Sequence, residues 1–97
     1  MTQSIELDVF SPHVGEAFTL ASSQDSQKTL LLLEARPLPE GTGPREAPFS
    51  LLFRASPDCG LWQGMATLRH TATGPLDLFL VPIGQDEAGL LFEAVFN

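Results

Sequence analysis

The chain has 97 residues, and its 12 Asp and Glu against 5 Lys and Arg give a formal net charge of −7. This length predicts a single domain over residues 1–97, and the 43% of apolar residues predicts that it folds. The charge argues against nucleic acid and anionic membrane surfaces as partners, because binding to either relies on clustered cations. It permits docking to a basic protein.

Cysteine content and the N-terminal residues indicate where the protein resides. The single cysteine, Cys59, excludes an intrachain disulfide and fits a cytoplasmic or intra-particle setting. Residues 1–15 lack the basic and apolar regions of a signal peptide. No apolar run approaches the ~20 residues of a membrane span. We therefore expect no membrane association.

The N-terminal segment predicts a short helix or 3₁₀ turn near residues 8–14. Leu7, Phe10 and Val14 follow helical spacing, and a proline suits the first turn. An extended segment over 5–10 is the alternative, because apolar residues also alternate there.

Six apolar segments, separated by polar or Gly/Pro-rich turns, predict six strands. They cover residues 17–21, 29–36, 49–55, 65–70, 76–83 and 90–96. This spacing predicts an all-β fold, either an antiparallel sandwich or a small barrel. Sequential strands usually pair, so a meander is the expected topology.

Alternation within the strands predicts which residues face the core. In the last strand, residues 90, 92, 94 and 96 share the core face, and Leu91 and Val95 lie opposite. Pro82 predicts an edge or a bulge in its strand. The four leucines of 29–36 predict a strand buried on both faces. Several strands are apolar on both faces, so the N-terminal helix or another subunit should cover the outer side.

The proline-rich segment 37–48 predicts a long loop, with four prolines and two glycines in twelve residues. Arg45 lies in this loop, and Arg36 and Arg54 end or lie within the adjacent strands; they are three of the five cations in the chain. Together they are candidates for binding a carboxylate or phosphate. The alternative is that they pair with protein carboxylates, namely Glu34, Glu46 or Glu93.

No catalytic or metal-binding motif stands out in the sequence. Cys59 lies in a turn, and His13 and His70 lack the paired spacing of metal ligands. We therefore predict no catalytic residue, no metal ligand and no cofactor. Trp62 is expected to anchor the core or a loop, or to contribute to an interface.

Six stretches of the chain together resemble a family of small bacterial domains of unknown function. They are Val14-Gly15-x-x-Phe18, LLLEARPLP (31–39), PFSLLFR (48–54), Gln63-Gly64 with Leu68-x-His70, LFLVPIG-x-D-x-x-G (78–89) and FEAVFN (92–97). The family usually has Tyr where this chain has Phe92. The resemblance implies an all-β domain of about this length and carries over no catalytic residue. Its members are sometimes encoded near phage-tail-collar-like proteins, which implies a possible phage-tail-like setting.

Two functional hypotheses follow. The first is a non-enzymatic protein-interaction or assembly accessory domain, in the cytoplasm or in a phage-tail-like particle, that self-associates or binds a partner protein. Its interface residues would be Trp62, Leu91 and Val95. The alternative is an enzyme or small anionic-ligand-binding domain that uses the 37–48 loop and the nearby arginines.

Overall fold

The computed structural model describes residues 7–20, 29–39, 48–56 and 63–96. A helix, α1 (Leu7–Phe10), runs directly into a 3₁₀ turn (Ser11–His13). Six strands follow: β1 (Ala17–Leu20), β2 (Thr29–Pro37), β3 (Phe49–Ala55), β4 (Gly64–His70), β5 (Gly74–Asp86) and β6 (Gly89–Phe96). The predicted helix or 3₁₀ turn is therefore confirmed, and so are the six strands.

The extended alternative for 5–10 is wrong over the described residues 7–10. Helical geometry brings Leu7, Val9 and Phe10 against one core, whereas an extended chain would point alternate residues to opposite sides. The Phe10 ring lies 6.0 Å from that of Phe49 and 6.1 Å from that of Phe96. The helix therefore packs on the core rather than on the outer faces of β5 and β6.

The six strands form one antiparallel sheet that closes in a ring, in the order β1-β2-β3-β6-β5-β4 and back to β1. The small-barrel form of the prediction is thus the one observed. The expected meander is wrong, because β3 pairs with β6 and β4 pairs with β1. Closure gives every strand a neighbour on both sides, which removes the two edge strands that an open meander would leave.

Alternation along the strands separates one interior from one exterior. The odd-numbered residues 49–55 of β3 are buried, as are Phe92 and Ala94 of β6. In β2, Leu30 and Leu32 are fully buried while Leu31 and Leu33 are only half-buried. The prediction that this strand is buried on both faces is therefore wrong, because a closed sheet has only one inside.

Strand β5 is longer than predicted and changes partner along its length. Residues 74–80 pair with β4, and residues 81–86 pair with β6. The register shifts between Pro82 and Gly84, which confirms the predicted bulge. The predicted edge also fits, since pairing with β4 ends at Leu80 and residues 81–86 pair with β6 on one side only. Among the described residues, no helix has the length and apolar character needed to cross a membrane.

Candidate functional site

A cluster of His13, Glu16 and His70 joins the N-terminal segment to the end of β4. The Oε1 atom of Glu16 lies 3.0 Å from Nδ1 of His13 and 2.7 Å from Nε2 of His70. The two imidazole centroids are 4.6 Å apart, and the ring of His70 also packs 4.7 Å from that of Phe18. The His70 side chain is only 9% exposed. These contacts hold the three side chains in one arrangement.

The backbone determines which nitrogen of His70 carries the proton. The amide N–H of Ala72 donates to Nδ1 of His70 at 3.0 Å. Nδ1 is therefore the unprotonated nitrogen of a neutral ring, and Nε2–H donates to Glu16.

Two imidazoles and a carboxylate form a donor set that zinc and related metals accept, and here the three atoms lie within 4.8 Å of one another. A metal ion on Nε2 of His70 would require the proton on Nδ1, where it would face the N–H of Ala72. Metal-bound histidines instead donate their second N–H to an acceptor. The surroundings of His70 thus fit a hydrogen bond to Glu16 and do not fit a metal ion.

The cluster also sets the charge of Glu16. The hydrogen bond with His70, followed by that with His13, lowers the pKa of Glu16 from its ordinary 4.5, and the opposing effect of burial is weaker. Glu16 is therefore ionised at neutral pH. Its negative charge is directed at the two imidazoles.

A cavity of about 390 Å³ lies beside this cluster, where β1 meets β4 and the β4–β5 turn. Thr19 of β1 is paired with Arg69 of β4, which in turn is paired with Pro75 of β5. All of these residues line the cavity, together with Ala17, His70, Thr71 and Gly74. Sequence reasoning missed this cavity because it depends on the pairing of β1 with β4.

Arg54 is held by a carboxylate at the opposite end of β5. Its Nε and Nη2 atoms donate to Asp86 Oδ2 at 3.1 and 2.5 Å. Asp86 Oδ1 also accepts hydrogen bonds from the amide N–H groups of Ala88 and Gly89, at 2.9 and 3.0 Å. The hydrogen bond with Arg54 is the main cause of a lowered pKa at Asp86, and the two amides add to it. The sequence suggested Glu34, Glu46 or Glu93 as partners of the arginines, and Asp86 was missed.

Arg36 is paired with Glu34, with Nη2 2.8 Å from Oε1, as the carboxylate-pairing alternative proposed. It lines a small cavity of about 120 Å³ that Glu34 and Glu93 also line. The two carboxylates make this cavity a poor environment for an anion. Arg36 lies opposite Ser50 and Arg54 opposite Leu31, so the two arginines sit about 13 Å apart along the sheet. The structure does not bring them together. Arg45 and the loop residues 40–47 lie outside the described residues.

The outer surface of the sheet carries the other candidate region. Val95, a predicted interface residue, is 47% exposed, and Leu91 is half-buried on the same outer face. Trp62 and Cys59 lie outside the described residues. Sequence reasoning missed Met65 and Phe79, which are 65% and 49% exposed. Strand alternation contained the signal, because Met65 shares a face with Thr67 and Arg69 rather than with the buried Ala66 and Leu68.

A family described as Domain of unknown function (DUF6916) matches residues 5–96. No curated protein and no solved structure matches the chain.

Proposed function

The chain belongs to the DUF6916 family, and from its outer surface we propose that it is a non-enzymatic protein-interaction domain. The docking face is the outer side of the β4–β5 hairpin, centred on Met65 and Phe79. This refines the sequence-based hypothesis, which named Trp62, Leu91 and Val95 as interface residues, by proposing Met65 and Phe79 as the centre. Val95 extends the face on the neighbouring strand β6.

One observation carries the proposal: Met65 and Phe79 are direct cross-strand partners, and both are exposed. Their strand neighbours Ala66 and Leu78 point inward and are buried, so the exposure is not a local failure of packing. Single exposed apolar residues are ordinary, whereas two large ones side by side form a patch. Burying a whole Met or Phe side chain contributes about 1.5–3 kcal/mol, and these two are partly buried already.

Charge indicates what covers the patch. The chain carries a net charge of −7, which opposes close approach of a second copy. Asp77 lies on the same outer face, two residues before Phe79. The Asp77 carboxylate accepts a hydrogen bond from the hydroxyl of Thr67 at 2.5 Å. The face thus suits a partner protein with apolar side chains next to lysine or arginine. A phage-tail-like particle as the cellular setting stays a prediction.

The test is affinity purification of the tagged chain from its native cells, followed by direct binding of the purified partner. We expect Met65→Lys and Phe79→Lys to abolish that binding. Ile83→Lys is the matched control, since Ile83 is 53% exposed but lies in the bulge, in the half of β5 that pairs with β6. Light scattering on the same samples reports self-association.

Two outcomes would contradict the proposal. One is a monomer at high concentration with no retained partner. The other is a partner whose binding survives both lysine substitutions. If the protein forms a dimer that Met65→Lys disrupts, the proposed docking face is correct but its occupant is a second copy of the chain rather than a partner protein.

A further inference from the structure

The cavity beside His70 lies where the β1–β4 ladder ends. Among the described residues, two pairs join these strands, Thr19 with Arg69 and Leu20 with Leu68. Past Arg69, β4 turns away into the 71–73 turn, while β1 begins only at Ala17. The divergence leaves an open volume of about 390 Å³, which is within the size range of small-ligand sites.

Arg69 supplies to this cavity a cation that no carboxylate among the described residues neutralises. Three arginines fall within the described residues, and two are bound by carboxylates, Arg36 by Glu34 and Arg54 by Asp86. Arg69 has no such ion pair with any described carboxylate. A guanidinium offers a planar fork of N–H donors that matches carboxylate and phosphate oxygens. The hydroxyls of Thr19 and Thr71 line the same cavity and add donors.

The His–Glu–His cluster adjoins the cavity through His70. The Oε1 atom of Glu16 accepts hydrogen bonds from His13 and His70, at 3.0 and 2.7 Å. The amide of Ala72 fixes the ring of His70 from the other side, so one wall of the cavity is held in place.

We propose that this cavity binds a small oxyanion-bearing molecule, a phosphate or a carboxylate, with Arg69 as its anchor. Thr19 and Thr71 donate hydrogen bonds to the same group, and His70 is a positioning residue because both of its nitrogens are already bonded. The net charge of −7 repels free anions, so the affinity is modest and falls with added salt.

The experiment is an NMR titration of the ¹⁵N-labelled chain with inorganic phosphate, and separately with citrate, at constant ionic strength set by sodium chloride. We expect saturable shifts at the amides of Thr19 and residues 69–75. Arg69→Gln should weaken binding by about tenfold or more. Arg36→Gln, which removes a carboxylate-bound arginine elsewhere, should bind as the wild type does.

The two titrants distinguish the source of the oxyanion. Saturation by phosphate alone indicates a phosphate-bearing ligand, and saturation by citrate alone indicates a carboxylate. Absence of saturable shifts with both, or equal binding by Arg69→Gln, would overturn the proposal. If Arg69→Gln does not fold, Arg69→Lys keeps the charge without the fork and should bind more weakly than wild type. Met65→Lys lies about 13 Å away along β4 and should leave the titration unchanged, so this test and the docking test fail independently.

Discussion

The two ends of β5 use an arginine and a carboxylate in opposite ways. At the β5–β6 turn, Asp86 binds Arg54 and the amides of Ala88 and Gly89, so both charges are used within the protein. At the β4–β5 turn, Glu16 binds two histidines, and Arg69 has no carboxylate partner among the described residues. The first turn is thus built for stability, whereas the second leaves a cation available for binding. This difference predicts how each turn responds to substitution.

The largest expected effect is Gly89→Ala in the β5–β6 turn. Gly89 has φ of 156°, which L residues rarely adopt, and a Cβ there would overlap the carbonyl oxygen of Ala55. We expect a loss of about 3 kcal/mol or more in the free energy of unfolding, or failure to fold. Urea denaturation measures it.

Gly74→Ala in the β4–β5 turn is the matched control. Gly74 also has a positive φ, of 73°, but its added Cβ would meet no atom within 4 Å. We expect Gly74→Ala to lower the free energy of unfolding by about 1–2 kcal/mol, because an alanine in the left-handed conformation is strained even without a clash. Equal losses for the two alanines would show that the two turns are packed alike.

The next effect is the dependence of stability on acid. The pKa values of Glu16 and Asp86 are both lowered from their ordinary 4.5 and 3.8 by their hydrogen-bonded partners. A carboxylate with a lowered folded pKa stabilises the fold above its unfolded pKa, and this contribution is lost as pH falls through the folded value. We expect the Tm to decrease as the pH is lowered from about 5 to below the folded pKa values of the two carboxylates.

Asp86→Asn and Glu16→Gln separate the two turns in that experiment. Each variant should have a lower Tm than wild type at neutral pH, and its Tm should fall less than that of wild type on acidification. Asp86→Asn should have the larger effect, since Asp86 supports the turn backbone as well as Arg54. Acid profiles parallel to wild type in both variants would exclude these carboxylates as the cause.

The smallest expected effect is that of Arg69→Gln on stability. Because Arg69 has no ion pair with any of the described residues to lose, the free energy of unfolding should change by no more than about 0.5 kcal/mol. Arg54→Gln, which leaves Asp86 without its partner, should destabilise the protein more. Thermal melts of the two variants side by side check this. A larger loss for Arg69→Gln would place Arg69 among the structural residues and remove the contrast between the turns.

The strands could be predicted from the sequence because their signals are local. Turn residues bound each apolar segment, and alternation identified the core face of β6. Pro82 indicated the bulge because a proline cannot donate to a ladder. The order of the strands could not be predicted in this way, since β1 meets β4 and β3 meets β6 across long stretches of chain.

The candidate site depends on the same long-range pairings. His70 was visible as one of two histidines, but its contact with Glu16 spans 54 positions and appears only once β1 lies beside β4. Arg69 looked no different from Arg36 or Arg54 in the sequence. What distinguishes it is which carboxylates the fold brings near, and composition cannot show this.

The seam between β1 and β4 also has a consequence for assembly. Among the described residues it is the shortest ladder in the ring, so local opening should begin there and turn the closed sheet into one with two free edges. A released β1, together with the preceding helix and Phe10, could then complete the sheet of a neighbouring molecule. Exchange of this segment between chains is a route to a swapped dimer at high concentration. By holding Glu16 to His70, the cluster beside the seam works against that exchange.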